Sequence, residues 1–195
     1  MKQERTRGPG LGLTGAGLIG AWLLFSCSAA LGQTGRGPDA NLEYSVKAAF
    51  LLNFTKFIEW PPGSFIDAQS PMEICILGKD PFGRTLDDLL QGENAGGRLL
   101  VARRIDQPPT ARTCHVLYIG AFSREDSKDL PQMLGGLPQG ILTVGEGDRF
   151  THAGGMIALV VDERRVRFDI NQSAAQRGGL KLSSRLLAVA RALSH

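Results

Sequence analysis

From Met72 onward, short apolar runs alternate with helix-forming stretches, and that alternation constrains the fold more than any other feature of the chain. Met72-Glu73-Ile74-Cys75-Ile76-Leu77 is an isoleucine-rich strand closed by Gly78. Behind it, Asp80-Pro81 supplies an N-cap with proline at the first helical position, so a helix is expected from Phe82 to about Leu90. Arg98 to Ala102 reads as a second strand, His115 to Ile119 as a third and Ile141 to Val144 as a fourth, with a helical region from Ser123 to Leu137 interrupted by Pro131. Strands joined through helices build a parallel sheet covered on both faces. The pattern then changes. Met156 to Val161 and Arg165 to Ile170 are separated only by Asp162-Glu163-Arg164, a hairpin-length gap. Val166, Phe168 and Ile170 fall on one face of the second strand, and Arg165, Arg167 and Asp169 on a solvated one. A helix from about Gly179 closes the chain, with Leu182, Leu186, Val189, Ala190 and Leu193 as its buried stripe. The expected architecture is a single three-layer α/β domain: a mostly parallel sheet of about six strands, helices on both faces, and a C-terminal antiparallel hairpin followed by a helix.

Ahead of this alternation, Lys47 to Pro62 reads as an amphipathic helix stopped by Trp60-Pro61-Pro62. Leu42, Val46, Ala49, Phe50, Phe54 and Phe57 recur at helical spacing as the buried face, with Glu43, Lys47, Asn53 and Lys56 on the other. The two prolines force an extended exit that pins the Trp60 indole beside the helix end.

The first 32 residues have the grammar of an export leader: Lys2, Arg5 and Arg7, an apolar run from Ala16 to Phe25, and the small-residue site Ala30-Leu31-Gly32. The run is shorter than the roughly 20 residues that cross a bilayer. Leu24-Phe25-Ser26-Cys27 resembles a lipobox, so cleavage by signal peptidase I and lipidation at Cys27 are both open, and the mature chain is expected in the periplasm, soluble or lipid-anchored. Removing residues 1–32 takes away three basic side chains and Glu4, and the formal charge of +3 falls to +1. A nearly neutral chain lacks the positive field that nucleic-acid binding requires. Residues 33–40 read as a linker, leaving 41–195 as one domain.

Cys75 and Cys114 remain in an exported chain, an even pair that invites a disulfide; the alternative is two separate buried thiols. If the strands holding them are neighbours, their Cα atoms come within bridging range.

In parallel sheets ligands collect beyond the carboxyl ends of the strands. That geometry points to Gly78, Lys79 and Asp80 after the first strand, Gly120 and Ser123 after the third, and Gly145, Glu146 and Arg149 after the fourth, with Asp80 and Arg149 as the ligand-contacting candidates and capping or loop solvation as their alternative. Catalytic motifs are weak. The Gly10 to Gly15 G-x-G-x-x-G lies within the leader, Gly145-Glu146-Gly147 lacks a third glycine, and His115, His152 and His195 have no metal-ligand spacing. Ser183 and Ser184 lack a nucleophile elbow. No cofactor or metal is expected. Arg177, Lys181 and Arg185, spaced by four, form a row that either meets an acidic partner or is a solvated helix face, and with Arg165 and Arg167 they make the candidate partner surface. The edge left open by the hairpin is another docking place.

Lys47-Ala48-Ala49-Phe50-Leu51-Leu52-Asn53-Phe54 with Lys56-Phe57 and Trp60-Pro61 resembles the start of the YfiR-like family of periplasmic regulators. Gly78 with Asp80-Pro81-Phe82-Gly83 is similar to its first strand-to-helix turn. Gly154-Gly155-Met156-Ile157, Val166 to Asn171 and Leu180 to Leu187 are similar to its C-terminal half. The resemblance implies the Cys75–Cys114 bridge, and a non-catalytic repressor that binds the periplasmic part of an inner-membrane diguanylate cyclase, lowering cyclic-di-GMP and biofilm formation. A sensor kinase as partner, a small-molecule ligand and homodimerisation are the further expectations.

Overall fold

In the computed structural model, residues 38–109, 113–120 and 128–194 are described. The leader, its lipobox with Cys27, and Ser123 lie outside them. In chain order the elements are α1 (Pro38–Lys56), β1 (Ile58–Glu59), β2 (Met72–Leu77), α2 (Arg84–Leu90), β3 (Asn94–Ala95), β4 (Arg98–Ile105), β5 (Val116–Ile119), α3 (Leu130–Gly135), β6 (Leu142–Glu146), α4 (Arg149–His152), β7 (Ile157–Asp162), β8 (Arg165–Asn171), α5 (Gln172–Arg177), β9 (Lys181–Leu182), α6 (Ser184–Ala188) and β10 (Ala192–Ser194).

Eight strands form the main sheet in the order β10-β8-β7-β6-β5-β2-β4-β3, and β1 pairs with β9 beside it. The centre is parallel, as the alternation requires: β2 runs beside β4 and β5, β5 beside β6, and β6 beside β7. The hairpin β7–β8 is antiparallel, from Ile157↔Ile170 to Asp162↔Arg165. Its turn residues Glu163 and Arg164 have φ of 46° and 63°, the left-handed geometry that matches a hairpin to strand twist. The short edge strands β3 and β10 raise the strand number above the expected six.

Strand pleating sends alternate side chains to two cores. On one face Ile74, Ile76, Val116, Tyr118, Val144 and Ile157 meet Leu51 and Phe54 of α1 and Leu86 and Leu90 of α2. On the other, Cys75, Leu77, Leu117, Ile119 and Ala158 meet Leu130 of α3 and Phe150 of α4. This is the expected three-layer α/β arrangement. Cys75 and Cys114 form a disulfide with Cα atoms 5.7 Å apart, between β2 and the residue leading into β5. α4 is held by one ring: a Cβ on Gly145 would lie 2.3 Å from Phe150, and one on Gly155 2.1 Å from it.

Several expectations give way to tertiary contacts. The single C-terminal helix is replaced by β9, α6 and β10. Gly179 has φ of 76°, Ile58↔Leu182 and Glu59↔Lys181 draw the chain into a strand pair, and the Ser183 hydroxyl accepts from the Leu186 N–H at 3.2 Å to start a new, short helix. Leu186 is buried, but Val189 and Leu193 are 69% and 43% exposed. Arg191 then binds Asp169 through Nε (2.8 Å) and Nη2 (2.5 Å) and Asp148 at 2.5 Å, seating β10 against β8. Asp169 is therefore buried rather than solvated, and the hairpin edge is covered from Asp169 to Asn171. Asp80 does not cap α2, which begins at Arg84 behind Gly83. Its Oδ1 accepts from the N–H groups of Phe82 (2.7 Å) and Gly83 (3.2 Å) in a turn before the helix. Pro131 sits in the first turn of α3, so it starts that helix rather than interrupting it.

The buried face of α1 is also rotated from the expected one. Phe50 and Phe54 do pack, each with its ring within 5.4 Å of Phe168. Lys47, Ala48 and Leu51, however, face inward, while Leu42 and Val46 are 67% and 37% exposed.

Candidate functional site

The strand connections switch direction at β2, with β4 on one side of it and β5 on the other, which is where a ligand crevice is expected. That crevice is closed by backbone. A Cβ on Gly120 would come 2.4 Å from the Lys79 carbonyl oxygen, and the Gly120 N–H donates to Leu77 O at 3.0 Å. Gly78 turns the chain at φ 79°, and Asp80 is engaged by the backbone of its own turn and by Arg104 Nε at 2.9 Å. Arg149 is exposed at the start of α4.

Among the described crevice candidates, Glu146 stands in a buried polar site. It ends β6 beside Tyr118 of β5 and under α1. Lys47 Nζ donates to Glu146 Oε2 at 2.8 Å and lies 2.5 Å from Glu43 Oε1 one helical turn away. The Tyr118 hydroxyl donates to Glu146 Oε1. Lys47 Nζ also sits 4.5 Å from the centre of the Tyr44 ring, Tyr44 meets Phe82 edge-on at 5.8 Å, and Phe82 meets Tyr118 at 4.7 Å. The charged cluster is thus boxed by aromatic rings.

These contacts shift two of the titrating groups. Burial pushes the Lys47 ammonium down, but hydrogen bonds to Glu146 and Glu43 outweigh it and the net shift is upward, so the lysine stays charged. Burial, reinforced by the Glu146 charge, pushes the Tyr118 phenol far up, so it stays protonated and serves as a donor. An ammonium shared between two carboxylates and a phenol locked in its neutral form have no proton to exchange near neutrality. The cluster is built to hold α1 in one rotation. The sequence pattern hides it because helical spacing places Lys47 on the solvated face; the one available signal is a lysine embedded in Val46-Lys47-Ala48-Ala49-Phe50-Leu51-Leu52.

The amino end of the same strands is organised differently. His115 Nδ1 accepts from the Glu73 N–H at 3.0 Å and Nε2 faces Ser64 O at 3.1 Å, which assigns the proton to Nε2. Burial, with Arg98 nearby, holds the imidazole below its ordinary value against the opposing bond to Ser64. The ring stacks on Phe65 at 4.2 Å, and the Trp60 indole N–H donates to His115 O at 3.4 Å. Close by, a hollow of about 490 Å³ is floored by Ile141, Met156 and Ala174, with Leu134, Leu137 and Arg177 at its rim.

Of the candidate partner residues, Arg165 and Arg167 are exposed on β8, whereas Arg177, Lys181 and Arg185 fall on α5, β9 and α6 and share no helix face. Among the described residues no helix is long and apolar enough to cross a membrane.

Fold and site together define a mostly parallel α/β domain whose crevice between β2 and β5 is closed by backbone and which carries a Lys47–Glu146 ion pair at the end of β6. Residues 44–191 match the YfiR/HmsC-like family, and the chain belongs to it. Among solved structures it is similar to a conserved domain protein from Vibrio cholerae, with TM-score 0.49 and 13% identity over 77% of this chain and 60% of that one. It is also similar to an ABC domain in complex with L-Trp from Streptococcus pneumoniae, with TM-score 0.41 and 11% identity over 63% of this chain and 55% of the other. The chain spans less than two thirds of either structure.

Proposed function

We propose that this chain is a non-catalytic periplasmic regulator that binds the periplasmic part of an inner-membrane diguanylate cyclase and represses it, lowering cyclic-di-GMP and biofilm formation. The observation that carries the proposal is membership of the YfiR/HmsC-like family over residues 44–191. The Cys75–Cys114 disulfide supports it, since such a bridge belongs to an oxidising compartment. Deleting the gene is expected to raise cyclic-di-GMP, quantified by mass spectrometry of nucleotide extracts. An unchanged level in the null strain would sink the proposal.

A second role, a small-ligand sensor serving a sensor kinase or another membrane receptor, is favoured by the 490 Å³ hollow, whose size and apolar floor suit a small molecule. Calorimetry against a metabolite panel tests it, and silence across the panel leaves the protein-binding role alone.

A further inference from the structure

The rotation of α1 has an outward consequence. Turning Lys47 inward leaves Leu42 and Val46 at the surface, and the hairpin brings Val161, 55% exposed, beside them. Together with Val166 these residues floor a hollow of about 770 Å³ whose rim carries Arg164 and Arg165. The acidic side chain on that rim, Glu43, is paired with Lys47 at 2.5 Å, an ammonium it shares with Glu146. Arg167, on the same strand, faces Asp162 at 3.6 Å, but among the described residues no carboxylate pairs with Arg164 or Arg165. An apolar floor thus lies beside two guanidinium groups that have no carboxylate partner among the described residues.

The geometry points to this hollow as a docking site for an acidic, amphipathic segment of a partner protein, its apolar residues entering between α1 and the hairpin and its carboxylates meeting Arg164 and Arg165. This rests on the regulatory role above and names the surface that role would use. Charge and shape select the occupant. A second copy docked across a two-fold axis through the hollow would set Arg164 and Arg165 against themselves, a like-charge contact. A bilayer surface is flat and leaves a concave floor unfilled, whereas a protein ridge fills it.

The test uses the full chain in its own host, with a photoreactive residue at position 161 and, as a control, at position 185 on α6. The expected result is an adduct from position 161 to a membrane protein through an Asp- or Glu-rich segment, mapped by mass spectrometry. Its yield should fall at least about tenfold in R164E/R165E, equivalent to roughly 1.4 kcal/mol, and recover when the contacted acidic residues are changed to lysine. R164E/R165E is at an exposed turn, and an unchanged melting temperature shows that the fold is intact. An adduct to a second copy, no adduct from 161, or a yield indifferent to the charge reversal overturns the site. So does Arg164-dependent sedimentation with phosphatidylethanolamine–phosphatidylglycerol vesicles without a charge-rescued protein adduct. The two proposals fail separately: a charge-rescued adduct with unchanged cyclic-di-GMP in the null strain keeps the surface and removes the cyclase, while raised cyclic-di-GMP with no adduct from 161 does the reverse.

Discussion

The two ends of the parallel strands are closed by different chemistry. At the carboxyl end Lys47, Glu43, Glu146 and Tyr118 form a closure made of charges, which holds only while each partner is present and correctly protonated. At the amino end the closure is covalent and stacked: the Cys75–Cys114 bridge, the Trp60 indole, and His115 on the Phe65 ring, with Arg98 over the same ring at 3.8 Å. The difference teaches that one sheet can be secured against two kinds of stress. The charged end fails when a partner is removed or the medium turns alkaline, and the amino end fails under reduction or acid.

The sharpest way to break the comparison is Lys47→Met. It leaves the Glu146 carboxylate half-buried without its cation, and a loss of about 3–5 kcal/mol is expected in urea unfolding. Adding Glu146→Gln should restore much of it, and a loss under about 1 kcal/mol from the single change would show that the carboxyl end is not closed by charge. Next in size is the disulfide. Its sequence separation of 39 corresponds to about 4 kcal/mol on the chain-entropy model before strain is subtracted, so the unfolding midpoint of Cys75→Ser/Cys114→Ser should drop to that of the reduced wild-type protein. Tyr118→Phe removes one donor to a charged acceptor and should cost about 1.5–3 kcal/mol.

The smallest effect is in pH, and its sign separates the two ends. The folded state holds His115 below its ordinary 6.5, so its contribution is complete above that pH and is lost as pH falls from 6.5 towards the depressed value. Lys47 is shifted the other way: its contribution is complete below 10.5 and is lost as pH rises through the raised value, and Tyr118, whose unfolded phenol ionises near 10.0, acts in the same direction. Melting temperature against pH should therefore bend down on both limbs, the acid limb flattening in His115→Gln and the alkaline limb in Lys47→Met. A single variant that flattens both would dissolve the distinction.

How much of this was legible depends on whether periodicity or a distant partner decides the local structure. The mostly parallel character of the sheet and the hairpin follow from alternating strands and helices and from a turn-length gap, so the sequence showed them, whereas the strand order is set by tertiary pairing. The C-terminal segment was misjudged because Leu182, Leu186, Val189 and Leu193 keep a helical period, while Ile58, Asp169 and Asp148, far away in sequence, provide the contacts that override it. Glu146 was legible as a crevice residue, but the lysine that pairs with it lies 99 residues earlier on a helix whose rotation is set by tertiary contacts. Arg177, Lys181 and Arg185 looked like a row only so long as one helix was assumed to hold them.

The Phe150 socket has a consequence for how this sequence can drift. Because atoms of one ring lie nearest to a Cβ at both Gly145 and Gly155, each glycine is conditional on the aromatic residue. Alanine at either position is barred while the ring is present and becomes spatially admissible once it shrinks. The three sites are therefore epistatic, and substitutions among them have to arrive in order, the ring first and the glycines after it.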